Sequence, residues 1–439
     1  MAWRARVHRW AWQRVPLLAL APVLAVCIWV TVSPPYTNSP PIRSDGAAYY
    51  AWTEAILHWN FSFCDLPSLP ASVQIPWITG RNPEHPDRCV LKYEPGLALL
   101  RFPVMGPVAA IANGDNPDLT HVSGAEEKAS QWLSVLALLL AITFMGASMR
   151  RLGVGRLLTD ATLLIATFGT GLFHYATYDS SYTHVYTAML VAALVYLGIR
   201  AEQLRKPPNP ILVVGLSFFV VSIREIDVIP LVLLEGVWLL RQARSGRLAE
   251  RLGTFVRAGL PAALGIALAV GLQTFYNHWA SGRWALSAYG AESLRLSELR
   301  EGSVLASYNH GLLLWYPAMM VLLVVPLLRA RARPWGLLSL LIVVPLVVVY
   351  GSWTPWSLGD SFGQRGFVDV LPVVAVGGAV GLAALRVRAR TLTIGLCLIC
   401  TFVTLELMSG YWSRTLPMDH DTASQYWRNV TGSDSVFSL

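Results

Sequence analysis

The sequence predicts an all-α polytopic membrane protein, and three observations carry that reading. Of its 439 residues, 54% are hydrophobic and only 14% are charged, whereas soluble domains carry about 25% charged residues. Eleven apolar runs approach or reach the roughly 17–25 residues that cross a bilayer. The basic residues fall on alternate connections between those runs.

The runs lie near 16–33, 131–149, 157–176, 184–199, 209–223, 226–240, 258–276, 311–328, 335–351, 368–385 and 391–409. The first follows a basic head, Arg4, Arg6, Arg9 and Arg14. It is followed by "TVSPPYT" rather than a small-x-small cleavage site, so it reads as an uncleaved signal-anchor. The runs 209–223 and 226–240 are short and are divided only by "REID". With the N-terminus in the cytoplasm, the inside segments are 1–15, 150–156, 200–208, 241–257, 329–334 and 386–390. These hold 21 of the 34 Lys and Arg residues. The +8 formal charge is thereby read as cytoplasmic loop bias, with no nucleic-acid partner.

The outside segments are then 34–130, 177–183, 224–227, 277–310, 352–367 and 410–439. In the first, the apolar stretch 96–112 is expected to lie along or dip into the membrane surface, because a full crossing would invert every later basic loop. No repeat or separate soluble domain interrupts the chain, so 1–439 reads as one transmembrane domain with a short outer tail. Cys27, Cys397 and Cys400 sit in apolar runs as packing residues. Cys64 and Cys89 share the long outer loop, where a disulfide is chemically possible.

In lipid a stray charge is costly, so charges at span ends carry information. The predicted outer face gathers Asp45, Tyr49 and Tyr50 after the first run, and Lys92, Tyr93 and Glu94 in "CVLKYEPG". It also holds His174, Asp179 and His184 in "FHYATYDSSYTHVY", Arg224, Glu225 and Asp227 in "SIREID", and Asp360, Arg365 and Asp369 in "GDSFGQRGFVDVLP". Carboxylates serve as general bases, and lysine and arginine bind phosphate. The bland readings stand beside these. Asp45 also suits a helix N-cap or first turn, Arg224 suits a salt bridge with Glu225 or Asp227, and Asp179 and His184 suit structural hydrogen bonds.

In their order and common side, "SDGAAYY", "KYEPG", "YDSSYTH", "SIRE", "YNHWASGRW", "GLLLWYPA" and "SFGQRGFVDVLP" resemble the membrane glycosyltransferases of the GT-C superfamily. The likeness is to the protein mannosyltransferases and lipid A aminoarabinose transferases, and it runs over nearly the whole chain. It implies a multi-pass protein of a bacterial cytoplasmic membrane with its active site facing outside. The implied donor is a polyprenyl-phosphate-linked sugar and the acceptor a glycan, lipid or protein. Asp45 is implied as general base in an inverting transfer. Lys92, Arg224 and Arg365 are implied at the donor phosphate, and Tyr49, Tyr50, Glu94, Asp179, His184 and Glu225 as further substrate contacts. A desolvated Asp45 is expected to have a raised pKa. Some relatives place a second acid after the first; here Gly46 follows Asp45. No metal site is therefore assigned, and a divalent ion has no clear motif. A transporter or flippase, or a non-catalytic scaffold, is the alternative; the former would show repeats and mid-span polar sites.

Overall fold

The computed structural model describes residues 16–34, 40–64, 77–113, 122–204, 206–243, 248–289, 292–419 and 421–431. The basic head at Arg4–Arg14 lies outside them. The described residues form a helical bundle with one small hairpin. The helices are α1 (Leu17–Val32), α2 (Asp45–Leu57), α3 (Gly96–Asn113), α4 (Gly124–Arg151), α5 (Arg156–Phe168), α6 (Leu172–Thr177), α7 (His184–Leu204) and α8 (Pro210–Ile223). They continue with α9 (Val228–Ala243), α10 (Leu248–Ser281), α11 (Glu301–Ala306), α12 (Leu312–Trp315), α13 (Pro317–Val324), α14 (Arg333–Gly351), α15 (Leu371–Ala384), α16 (Val387–Ser413) and α17 (Ala423–Thr431).

Among the described residues six stretches are long and apolar enough to cross a membrane: α3, α4, α7, Gly259–Ser281 of α10, α14 and α16. Four shorter apolar helical stretches accompany them, at Leu17–Val32, Pro210–Ile223, Pro317–Leu328 and Leu371–Ala384. Every apolar run of the sequence is helical, with two interruptions. The run 157–176 breaks at Gly169–Gly171 between α5 and α6. The run 311–328 breaks at Tyr316, before Pro317, and ends in a 3₁₀ turn, Val325–Leu328. The stretch 96–112, expected to be interfacial, forms α3, which has the length and hydropathy of a crossing helix and contains Pro103 and Pro107.

Local sequence explains the helix ends. Ser123 and Glu126 form a reciprocal capping box at the start of α4. Asn209 accepts from the Ile211 amide, and Pro210 occupies the first turn of α8. α4 packs along α7 and α8 along α10, around one large apolar core.

The long first loop is built to hold side chains. Strands β1 (Ile78–Arg81) and β2 (Cys89–Leu91) pair antiparallel. Cys64 is disulfide-bonded to Cys89. The hairpin is fixed to the end of α10. The Asn82 side chain donates to the Trp279 carbonyl at 3.1 Å, and the Leu91 amide donates to the Tyr276 hydroxyl at 2.9 Å. Lys92, Tyr93 and Glu94 leave this anchored hairpin directly. The indole of Trp52 on α2 then donates to the Tyr93 carbonyl at 2.8 Å, which docks α2 against them.

Candidate active site

The loops at the predicted outer face converge on one cavity of about 1730 Å³. Asp45, Tyr49, Lys92, Glu94, His184, Arg224, Glu225 and Arg365 all line it. Residues spread over more than 300 positions of sequence are thus brought to one wall.

Asp45 is the first residue of α2, and the preceding Ser44 has a left-handed φ of 46° and no capping hydrogen bond. A non-glycine residue there is strained. Asp45 is thus not an N-cap, and its carboxylate turns into the cavity. The Tyr93 hydroxyl donates to Oδ1 at 2.6 Å, and Arg365 Nη1 lies 2.9 Å from Oδ2. Burial opposes ionisation, but Arg365, Lys92 and Tyr93 together hold the carboxyl below the usual range. The expected upward shift is therefore reversed, because two cations and a hydroxyl donor outweigh desolvation. Gly46 permits this seating: a Cβ there would fall 1.7 Å from Ser181 Oγ.

The three basic residues assigned to a phosphate already have carboxylate partners. Arg365 has Asp45. Lys92, buried, donates to Glu292 Oε1 at 2.6 Å. Arg224 donates to Asp369 Oδ2 and lies 3.4 Å from the Tyr350 hydroxyl. The expected Arg224 salt bridge to Glu225 or Asp227 is absent among the described residues; Asp369, 145 positions away, takes that place. His184 Nδ1 lies 3.0 Å from Asp369 Oδ1 and 3.1 Å from Arg224 Nη1. A guanidinium only donates, so that nitrogen either accepts from Arg224 or donates to Asp369.

Asp179 stands behind this wall. It pairs with Arg43 Nη2 at 2.6 Å and His174 Nε2 at 2.8 Å. The Trp412 indole donates to His174 Nδ1 at 2.9 Å, so the histidine proton sits on Nε2 and is given to Asp179. With both oxygens engaged, Asp179 fixes Arg43 and hence the approach to Asp45. Tyr50 faces away from the cavity. Its hydroxyl bridges Glu54 and Glu126, and Asn113 reaches both carboxylates at 3.2 Å.

Glu94 and Glu225 differ from the rest. Among the described residues neither joins an ion pair, and Glu94 Oε2 is buried without a hydrogen-bond partner. Burial raises the Glu94 carboxyl well above its ordinary value, and the nearby Glu225 raises it further. Burial likewise raises Glu225, against a hydrogen bond from Ser287. No three His, Cys, Asp or Glu side chains among the described residues are grouped to hold a metal ion.

Sequence reasoning left Arg43, Tyr93, Glu292 and Asp369 without roles. Arg43 and Tyr93 lie beside chosen residues, in "IRSD" and "KYE", and that adjacency was the available signal. Nothing in the sequence marks Glu292 as the partner of Lys92.

Fold and site together define a polytopic helical membrane protein whose connecting loops enclose one charged cavity. No family model matches the chain, and no curated protein matches it. Among solved structures it is similar to the archaeal oligosaccharyltransferase AglB from Archaeoglobus fulgidus, determined in complex with an inhibitory peptide and a dolichol-phosphate. Identity is 12% and the TM-score 0.49, covering 90% of this chain and 56% of that one. The present chain thus spans little more than half the length of that protein.

Proposed function

We propose that the chain is a GT-C-type glycosyltransferase that moves a sugar from a polyprenyl-phosphate donor to an acceptor hydroxyl at the extracytoplasmic face. The observation that carries this reading is the two-sided chemistry of one cavity. Its lining combines Asp45, Lys92, Arg224 and Arg365 with Val221, Ile229, Ala269, Val270 and Val349 from α8, α9, α10 and α14. A lipid phosphate has the same two chemistries: a hydrocarbon chain suits the apolar helix side chains, and an anionic head suits the basic residues. The basic bias of the alternate loops and the Cys64–Cys89 disulfide both favour an outer, oxidising location for the head.

Asp45 is the general base in this reading. Its carboxylate is ionised at neutral pH and therefore always ready to accept a proton. A low pKa makes it a weak base at rest. As the acceptor oxygen bonds to the anomeric carbon, however, its proton becomes strongly acidic, and a weak base then suffices. Attack from the face opposite the phosphate inverts the anomeric centre. Lys92, Arg224 and Arg365 stabilise the departing phosphate, using guanidinium donors not engaged by Asp45 and Asp369 or partly exchanging those carboxylates for phosphate oxygens.

The test uses the purified full chain with polyprenyl-phosphate sugars and measures sugar transfer alongside lipid-phosphate binding. Asp45→Asn is expected to abolish transfer and retain binding. Transfer at the normal rate by that variant removes the base assignment, and failure of any polyprenyl phosphate to bind the wild type removes the donor assignment.

A further inference from the structure

At the cavity four basic side chains each meet an acid. Arg365 faces Asp45, Lys92 faces Glu292, Arg224 faces Asp369 and Arg43 faces Asp179. Of the other acids lining it, Asp360 is exposed and Asp419 accepts from Asn309, whereas Glu94 and Glu225 join no ion pair among the described residues. Glu94 is 2% exposed with one oxygen unpartnered. Their elements cannot drift apart, because α3 begins at Gly96 directly against the end of α8. A Cβ at Gly96 would fall 2.2 Å from the Ser222 backbone carbon. The groups that act on the two acids are the backbone amides of Glu94 and Glu225, which favour ionised Glu94 against its burial, Tyr49 on α2, Ser287 and Tyr289 on the loop after α10, and the Arg224 guanidinium, which Asp369 already neutralises. Two carboxylates that act on each other in a poorly solvated wall, with no cation of their own, favour holding one proton between them.

The proposed transfer, on which this inference rests, produces such a proton. The anomeric C–O bond breaks with its electron pair going to the phosphate oxygen, and the acceptor oxygen forms the new C–O bond. The acceptor hydroxyl loses its proton. The phosphate passes from a diester with one negative charge to a monoester able to carry two. A proton and a new negative charge therefore appear together in an already acid-rich cavity. Asp45 is badly suited to keep the proton, since Arg365, Lys92 and Tyr93 all favour its ionised form. The structure assigns that task to Glu94 and Glu225: we propose that the two carboxylates act as one proton-holding pair that takes up a proton as the lipid phosphate monoester occupies the site. The uptake offsets the charge gained by the phosphate and lets Asp45 return to its carboxylate form.

Titration calorimetry of the full chain in detergent micelles tests this, with farnesyl phosphate as probe at pH 7 in two buffers of different ionisation enthalpy. The buffer dependence of the heat counts protons exchanged on binding, and the ligand's own protonation is common to all variants. The wild type is expected to take up protons beyond that common contribution. Glu94→Gln and Glu225→Gln are each expected to lower the uptake, and the double variant to lose it, whereas Glu235→Gln, outside this cavity, keeps the wild-type value. Either single variant suffices if the double variant fails to fold. Unchanged uptake in the Glu94 and Glu225 variants overturns the pair while leaving the lipid-phosphate reading intact. No binding of farnesyl phosphate to the wild type overturns both.

Discussion

The two faces of α2 use the same residue types to opposite ends. On one face Asp45 meets a tyrosine hydroxyl, from Tyr93, and a guanidinium, from Arg365, at the wall of a large cavity. On the other, Glu54 and Glu126 meet a tyrosine hydroxyl, from Tyr50, and an amide, from Asn113, with no arginine or lysine in contact among the described residues. Both clusters are largely shielded from water. The first lines space where a ligand fits and has an arginine against its carboxylate, whereas the basic group of the second is His58, whose Nε2 lies 3.3 Å from Glu54 Oε2. A buried acid alone therefore does not mark a site. A buried acid beside an open cavity does, and Tyr49 and Tyr50 part company on that criterion although they are adjacent in sequence.

The contrast breaks if Asp45→Asn transfers sugar normally. The expected loss is roughly 10²–10⁴-fold in turnover, with a lowered melting temperature because Arg365 loses its carboxylate partner. Replacing Arg365 by methionine sharpens the same side. Asp45 is held low by Arg365 and Lys92 against burial, so removing the arginine raises it. With Asp45 as the proposed base, activity is expected to need the ionised form and to be lost as pH falls through the folded-state value. The acid limb of the rate profile should therefore move to higher pH, and a limb that stays put separates Arg365 from Asp45. The sign for stability is the same: the depressed folded value stabilises above the unfolded carboxyl range and loses that contribution as pH falls through it.

Gly46→Ala asks whether the seating of α2 matters. Overpacking against Ser181 should destabilise the protein by about 1–3 kcal/mol and lower transfer in the molecules that remain folded. Thermal melts paired with the transfer assay measure both. On the opposite face, Tyr50→Phe should cost about 1–3 kcal/mol by stripping a donor from buried carboxylates, with transfer per folded molecule unchanged. A selective loss of transfer in that variant would place Tyr50 at the substrate after all.

The helices were largely legible because an apolar run bounded by arginines has few other solutions in a membrane. The break at Gly169–Gly171 was not, since it interrupts one helix without interrupting its hydropathy. Charged residues at span ends are conspicuous against apolar sequence, which is why Asp45, Lys92, Arg224 and Arg365 stood out. Their partners were hidden because pairing is decided by tertiary approach. Arg224 passes over its neighbours Glu225 and Asp227 for Asp369, and Lys92 finds Glu292 across 200 positions. The direction of the Asp45 shift failed for the same reason: desolvation can be guessed from a membrane position, but the cations that defeat it come from other loops.

The Cys64–Cys89 bond reaches further than the hairpin it closes. Cys89 lies in the strand that delivers Lys92, Tyr93 and Glu94, so three groups of the cavity wall hang from a covalent link that translation alone does not make. The helices can insert and pack as soon as they are synthesised, whereas the finished wall waits for an oxidant. Production in cells unable to form disulfides should thus yield a membrane-inserted, helical protein in normal amount that binds lipid phosphate poorly, and mild reduction of the mature protein should reproduce that state.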